Sequence, residues 1–178
     1  VSRSAAALIA AALLAALVLF AFLPTLGQGW APIDDGLNFT RNEHYRGLGW
    51  ENLRWMWTTR LAGHYIPLSW MTLGADFLVY GMNPAGYHRT NLLLHLANAL
   101  LLFGLALQLS RRPDVGGPAP TEGRPYAVWA ALAAFAAAAF FALHPLRVES
   151  VAWITERRDL LCGLFCLLTV QAYLRYVE

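Results

Sequence analysis

Residues Ala5–Leu23 read AAALIAAALLAALVLFAFL, nineteen positions with no charge, glycine or proline. Wound as an α-helix at a rise of 1.5 Å per residue, this stretch approaches the roughly 30 Å hydrocarbon thickness of a bilayer. Arg3 in front of it would suit a signal peptide, but the apolar run exceeds the usual h-region and no convincing A-x-A cleavage site follows. We read it as a retained membrane helix. The composition agrees, with 58% hydrophobic and 13% charged residues where a soluble domain averages roughly 25% charged, and the mean hydropathy is +0.44.

Three further segments qualify as spans, giving four in all: 5–23, 84–109, 126–143 and 160–176. Asn83-Pro84 reads as an N-cap followed by proline at the first helical position, which starts the second span there. The connection Arg111–Pro125, rich in Pro and Gly, is a short solvated loop. The longest connection, 24–83, carries two helices of its own. In one, Trp50, Leu53, Met56 and Trp57 oppose Glu51, Asn52, Arg54 and Thr58, a pattern suited to lying in the bilayer interface. The other, Ser69–Tyr80, is apolar but broken by Asp76, and reads as interfacial or re-entrant. The fold class is therefore all-α and membrane-integral, with four transmembrane helices and interfacial helices in the first external loop.

Parity places the loop after the first span and the loop after the third in the same compartment. The first carries Asp34-Asp35; the other, 144–159, carries His144-Pro145-Leu146-Arg147-Val148-Glu149. Charge counting does not set the orientation, because the positive-inside rule weakens for a loop as long as the first. All 13 basic residues are arginine, and the net charge of +2 gives no case for nucleic acid. Cys162 and Cys166, four apart on an apolar helix, read as buried thiols. The chain opens on Val1 and stops at Glu178 after an apolar segment, so it reads as cut at both ends, a fragment.

Three groups of residues carry chemistry. Asp34-Asp35 is either a solvated turn, with Pro32 and Gly36 beside it, or a site. As a site, the pair suits a general base with a helper, or hard oxygen ligands for a divalent cation such as Mg²⁺. Like charges this close should also raise one pKa. His88, Asn91, His95 and Asn98 form one polar stripe on the second span. Hydrogen-bonding glue between helices is the reading for the deep pair, and substrate contact for His88 and Asn91. After the third span, Arg147 and Glu149 follow Pro145 in extended spacing, and Glu156, Arg157, Arg158 and Asp159 close the loop. Arginines there suit phosphate oxygens, against ordinary snorkelling and loop salt bridges. His64 lies on the same side. No dedicated metal motif, Gly-rich phosphate loop, HExxH or GxSxG is present.

Five motifs, Asp34-Asp35, Gly63–Trp70, Gly81–His88, Asn91–Asn98 and Phe141–Trp153, stand in an order and spacing that resemble the membrane region of the transmembrane and tetratricopeptide-repeat (TMTC-like) family of protein O-mannosyltransferases. The resemblance implies a partial GT-C-like bundle, 1–178 forming a single domain. It implies a glycosyltransferase module that moves a sugar from a polyprenyl-phosphate donor to an acceptor protein or glycan. On that resemblance Asp34 and Asp35 would be the catalytic base or acceptor-binding group, and an HPxxVE-type motif falls on His144, Pro145, Val148 and Glu149; with the residue patterns above, His64, His88, Asn91, His144, Arg147, Glu149, Arg157 and Arg158 are the expected substrate-binding residues. The expected location is the bacterial inner membrane, with Asp34, Asp35 and Glu149 periplasmic. The rival is a non-catalytic membrane anchor for a tetratricopeptide-repeat scaffold; further spans or repeats directly after Glu178 would discriminate the two. A transporter fits the polar stripe but not the large acidic loop.

Overall fold

The computed structural model describes residues 3–110 and 124–177, and the predicted connection Arg111–Pro125 lies outside them except for its last two residues. Among the described residues the fold is helical, without a named strand. Seven α-helices follow in order: α1 (Arg3–Phe22), α2 (Trp50–Thr58), α3 (Pro67–Tyr80), α4 (Pro84–Leu109), α5 (Arg124–Leu143), α6 (Arg147–Ala152) and α7 (Arg157–Tyr176). Ser4–Gly27 and Pro84–Leu109 are long and apolar enough to cross a membrane. Ala127–Leu143 is apolar but shorter, and α7 opens on Arg157, Arg158 and Asp159. Two of the four predicted spans thus meet that length and apolarity.

Helix boundaries follow local chemistry. The Ala85 N–H donates to Asn83 Oδ1 at 3.2 Å, and Pro84, lacking an N–H, costs nothing at the first helical position. Pro24 ends α1 in a tight turn, Leu23–Gly27. Arg147 and Glu149 are not extended as predicted but stand in α6, because the Arg147 N–H bonds the His144 carbonyl at 2.8 Å and the Leu146 N–H bonds His144 Nδ1 at 3.3 Å. Nor do Arg157–Asp159 close a loop; they form the first turn of α7. The cysteines also correct the sequence reading, since both are free and exposed on α7.

The chain divides into two compact units. The first comprises Val1–Ala21, Leu94–Arg147 and Cys162–Glu178. Its α5 buries Ala130, Ala134, Ala138 and Ala142, four residues apart on one stripe, and α1 buries Ala10, Leu14 and Val18 at the same spacing. Small residues at this spacing let helix backbones approach closely. Within this unit His95 Nε2 lies 2.9 Å from the Ala142 carbonyl, one of the last-turn carbonyls of α5 that has no intrahelical partner. His95 therefore does serve as glue between helices. Gln171 Nε2 donates to the Leu101 carbonyl at 2.9 Å.

The second unit, Phe22–Leu93 with Val148–Leu161, shows why 24–83 is more than a loop. Its core is aromatic: Phe39, Tyr45, Met56, Trp70, Leu73, Tyr87 and Ile154 are buried, with Trp30 and Trp55 packed on them. Trp30 meets Tyr87 edge-on at 5.0 Å and Trp55 meets Trp70 at 5.2 Å, contacts worth about 0.5–1.5 kcal/mol each beyond burial. On α2, Met56 turns into this core while Trp50 and Trp57 stay 76% and 51% exposed. The backbone of residues 45–47 packs directly on α3 at Gly74. A Cβ there would lie 2.6 Å from the Gly47 carbonyl oxygen and 2.9 Å from that of Tyr45. Backbone oxygens cannot rotate aside, so Gly74→Ala is expected to lower stability by about 1–3 kcal/mol, read as a drop in the thermal unfolding midpoint in detergent.

Candidate active site

The site is built in the second unit. The Asp34 carbonyl accepts from the N–H groups of Leu37 and Asn38 at 3.0 and 2.8 Å, which coils Gly36–Thr40 into a helical turn. The adjacent carboxylates thereby face different surroundings. Asp35 is 1% exposed, and three donors converge on it. The Ala31 N–H reaches Oδ2 at 2.6 Å, while the Trp153 indole N–H and the Thr155 hydroxyl reach Oδ1 at 3.2 and 2.8 Å. Asn38 Nδ2 in turn donates to Thr155 Oγ1 at 3.1 Å. Asp35 thus ties the first polar segment to the segment before α7.

Burial pushes the Asp35 carboxyl above its ordinary value of 3.8, and the hydrogen bonds from Ala31, Thr155 and Trp153, with the nearby His88, oppose that rise. The cause is desolvation rather than the like-charge repulsion predicted from the sequence. A carboxyl raised on folding holds its proton more tightly in the folded state. Its contribution to stability is present below the unfolded value and is lost as pH rises through the folded one. The melting midpoint is therefore expected to lose part of its height as pH rises from about 4, and Asp35→Asn should flatten that part of the profile.

Asp34 is half-buried, and among the described residues its carboxylate makes no hydrogen bond or ion pair. It lines a cleft of about 50 Å³ with Asn38, His64, Trp70, Thr155 and Arg158, room for a few waters but not for a sugar ring. Arg158 is also paired with Glu156. Three predicted site residues, Asp34, His64 and Arg158, thus meet at one cleft.

The others are placed differently. Arg157 is 0% exposed. Its NH1 is in ion-pair contact with Asp76 Oδ2, its Nε donates to Asn91 Oδ1 at 2.8 Å, and its NH2 donates to the Tyr87 carbonyl at 2.9 Å. Asn91 is buried in the same network, and His88, also buried, has Nε2 3.4 Å from the Gly29 carbonyl. Glu149 is exposed on α6. In the first unit, His144 and Arg147 line a separate groove of about 260 Å³ with Phe140, Phe141 and Leu146, where the Arg147 guanidinium stands 4.8 Å over the Phe141 ring. Among the described residues no three of His, Cys, Asp and Glu converge as a metal cage.

Comparison with known proteins follows this geometry. The chain is 34% identical to protein O-mannosyl-transferase TMTC4 of Homo sapiens over 66% of its length, and 33% identical to Tmtc3 of Drosophila melanogaster over 64%. It is 30% identical to Tmtc2 of Drosophila melanogaster over 165 residues, 88% of the chain. The chain belongs to the TMTC-like family. It spans 16%, 12% and 16% of those three relatives, so it corresponds to a small part of each TMTC protein. No protein-family profile matches the sequence, and no solved structure matches it. The family membership and the two apolar helices fit a membrane protein.

Reading the sequence as TMTC-like did not find Asp76, Trp153 or Thr155 as members of the site. Asp76 did leave a signal: a lone carboxylate in an apolar helix needs a buried partner, and Arg157 supplies it. Trp153 stood only as the last residue of the motif Phe141–Trp153, and Thr155 left no signal, since a threonine near a bilayer is common.

Proposed function

We propose that this chain is a membrane glycosyltransferase module that moves a sugar, mannose by its kinship, from a polyprenyl-phosphate donor to an acceptor hydroxyl on the outer face of the membrane, within a four-span, GT-C-like bundle. The observation that carries this reading is the unpaired Asp34 carboxylate at a cleft shared with His64 and Arg158, backed by an Asp35 whose oxygens are already engaged. The names of the relatives support transfer to protein.

Each residue then has a role set by its surroundings. Asp34, with free lone pairs, takes the proton from the acceptor hydroxyl. The hydroxyl oxygen attacks the anomeric carbon, the bond from that carbon to the phosphate oxygen breaks, and the polyprenyl phosphate leaves with the electron pair, inverting the centre. Asp35 orients the turn that carries Asp34. Arg158 faces the developing phosphate charge, the kind of electrostatic help that acts most strongly in the transition state. His64 lines the same small cleft, beside Asp34. The groove at Arg147 and His144, in the first unit, is amphiphilic, with a guanidinium beside Phe140, Phe141 and Leu146. His88 and Asn91 support the site from beneath.

The test is a transfer assay with the purified full-length protein, mannosyl polyprenyl phosphate and acceptor peptide, with and without chelator. Sugar transfer abolished by Asp34→Asn supports the reading. Transfer undiminished in that variant removes Asp34 as the base, no transfer by the wild-type protein sinks the function, and loss on chelation adds a divalent cation to the reaction.

A further inference from the structure

We infer that Asp76 is a positioning residue for the Asp34–Asp35 site, acting through Arg157, Asn91 and the segment 151–155. The inference rests on the reading of Asp34 and Asp35 as the reacting end. Its physical basis is a chain of contacts that lies wholly within the second unit.

Asp76 sits in the middle of α3 and is 6% exposed. Thr90 donates to its Oδ1 at 2.7 Å, and its Oδ2 faces Arg157 NH1. A guanidinium has donors and no acceptor. Held against Asp76 and the Tyr87 carbonyl, its Nε can meet only the oxygen of the Asn91 amide, at 2.8 Å. That forces the orientation of the amide. The Asn91 nitrogen is turned to the carbonyls of Val151 and Trp153, at 3.3 and 3.4 Å. Trp153 itself and Thr155 then present their donors to Asp35 Oδ1.

A packed pair of apolar side chains at 76 and 157 would hold the elements together equally well. It could not set the Asn91 amide, and an unset amide leaves two carbonyls and the two donors to Asp35 Oδ1 without a fixed register. The planar fork of arginine is required, because Asp76, Asn91 and Tyr87 meet three different guanidinium nitrogens, and the single nitrogen of a lysine ammonium cannot stand at all three places.

Arg157→Lys is the informative variant, since it keeps the charge opposite Asp76 and with it the fold. Asp76→Asn is its companion. In the full-length protein with ¹⁵N-labelled tryptophan, the Trp153 indole N–H is assigned by its loss in Trp153→Phe. In Arg157→Lys it is expected to shift and to exchange with water at least about tenfold faster, while the other indole signals stay in place. In the transfer assay kcat should fall by about a hundredfold, as small misplacements near a reacting group do, with KM for donor little changed. An unmoved Trp153 signal in folded Arg157→Lys overturns the inference, whatever the transfer assay reads. A shifted signal in a protein whose wild type transfers no sugar supports the network and counts against the catalytic reading alone.

Discussion

Asp34→Asn is expected to lower the rate of sugar transfer by about 10²–10⁴-fold, the range that a positioned general base contributes, with folding and membrane insertion intact. The amide is nearly isosteric and no folded contact depends on the Asp34 carboxylate, so KM for acceptor and donor should stay close to wild type. Asp35→Asn should behave otherwise. Three donors meet the Asp35 carboxylate, and an amide turns its own N–H₂ toward at least one of them. That variant is expected to lose stability, about 1–3 kcal/mol for a buried donor left unpaired, together with activity. Measuring both variants for transfer and for thermal unfolding separates a base from an anchor. If Asp35→Asn were inactive at full stability and Asp34→Asn fully active, the roles would be reversed.

Arg157→Met is expected to be the most destabilising single change in the second unit. It leaves Asp76 buried opposite an apolar side chain, with only Thr90 as a donor, and breaking one side of a buried ion pair costs about 3–5 kcal/mol. The double variant Asp76→Leu with Arg157→Met removes both charges and should regain most of that loss, because a packed apolar pair is often as stable as the ion pair it replaces. Thermal unfolding in detergent reads the comparison. A double variant no more stable than the sum of its two single changes would show that the charges are not coupled.

Much of the fold was legible in single residues. Pro84 behind Asn83 marked the start of α4, and the spacing of Leu53 and Met56 marked α2, because capping and amphipathic periodicity are local properties. The polar stripe was legible too, although His95 and Asn91 take different partners. His95 bonds the α5 carbonyl at Ala142, whereas Asn91 joins the Arg157 network. The helical state of Arg147–Ala152 was not legible, since it depends on a backbone bond to His144 and on that residue's own ring nitrogen. Nor did spacing tell Arg157 from Arg158, which are neighbours in sequence. Successive residues at the start of a helix point about 100° apart, so one guanidinium enters the core and the other reaches the cleft.

The sequence by itself determined the apolar run Ala5–Leu23, the all-helical class and the family, because each is a property of residue type and order along the chain. It also determined that two carboxylates stand side by side at 34 and 35. Only the tertiary structure decided that they differ. Burying Asp35 among donors from residues 31, 153 and 155, and leaving Asp34 at an open cleft, requires contacts between segments about 120 residues apart, and no local pattern encodes which of two identical side chains the core will take in.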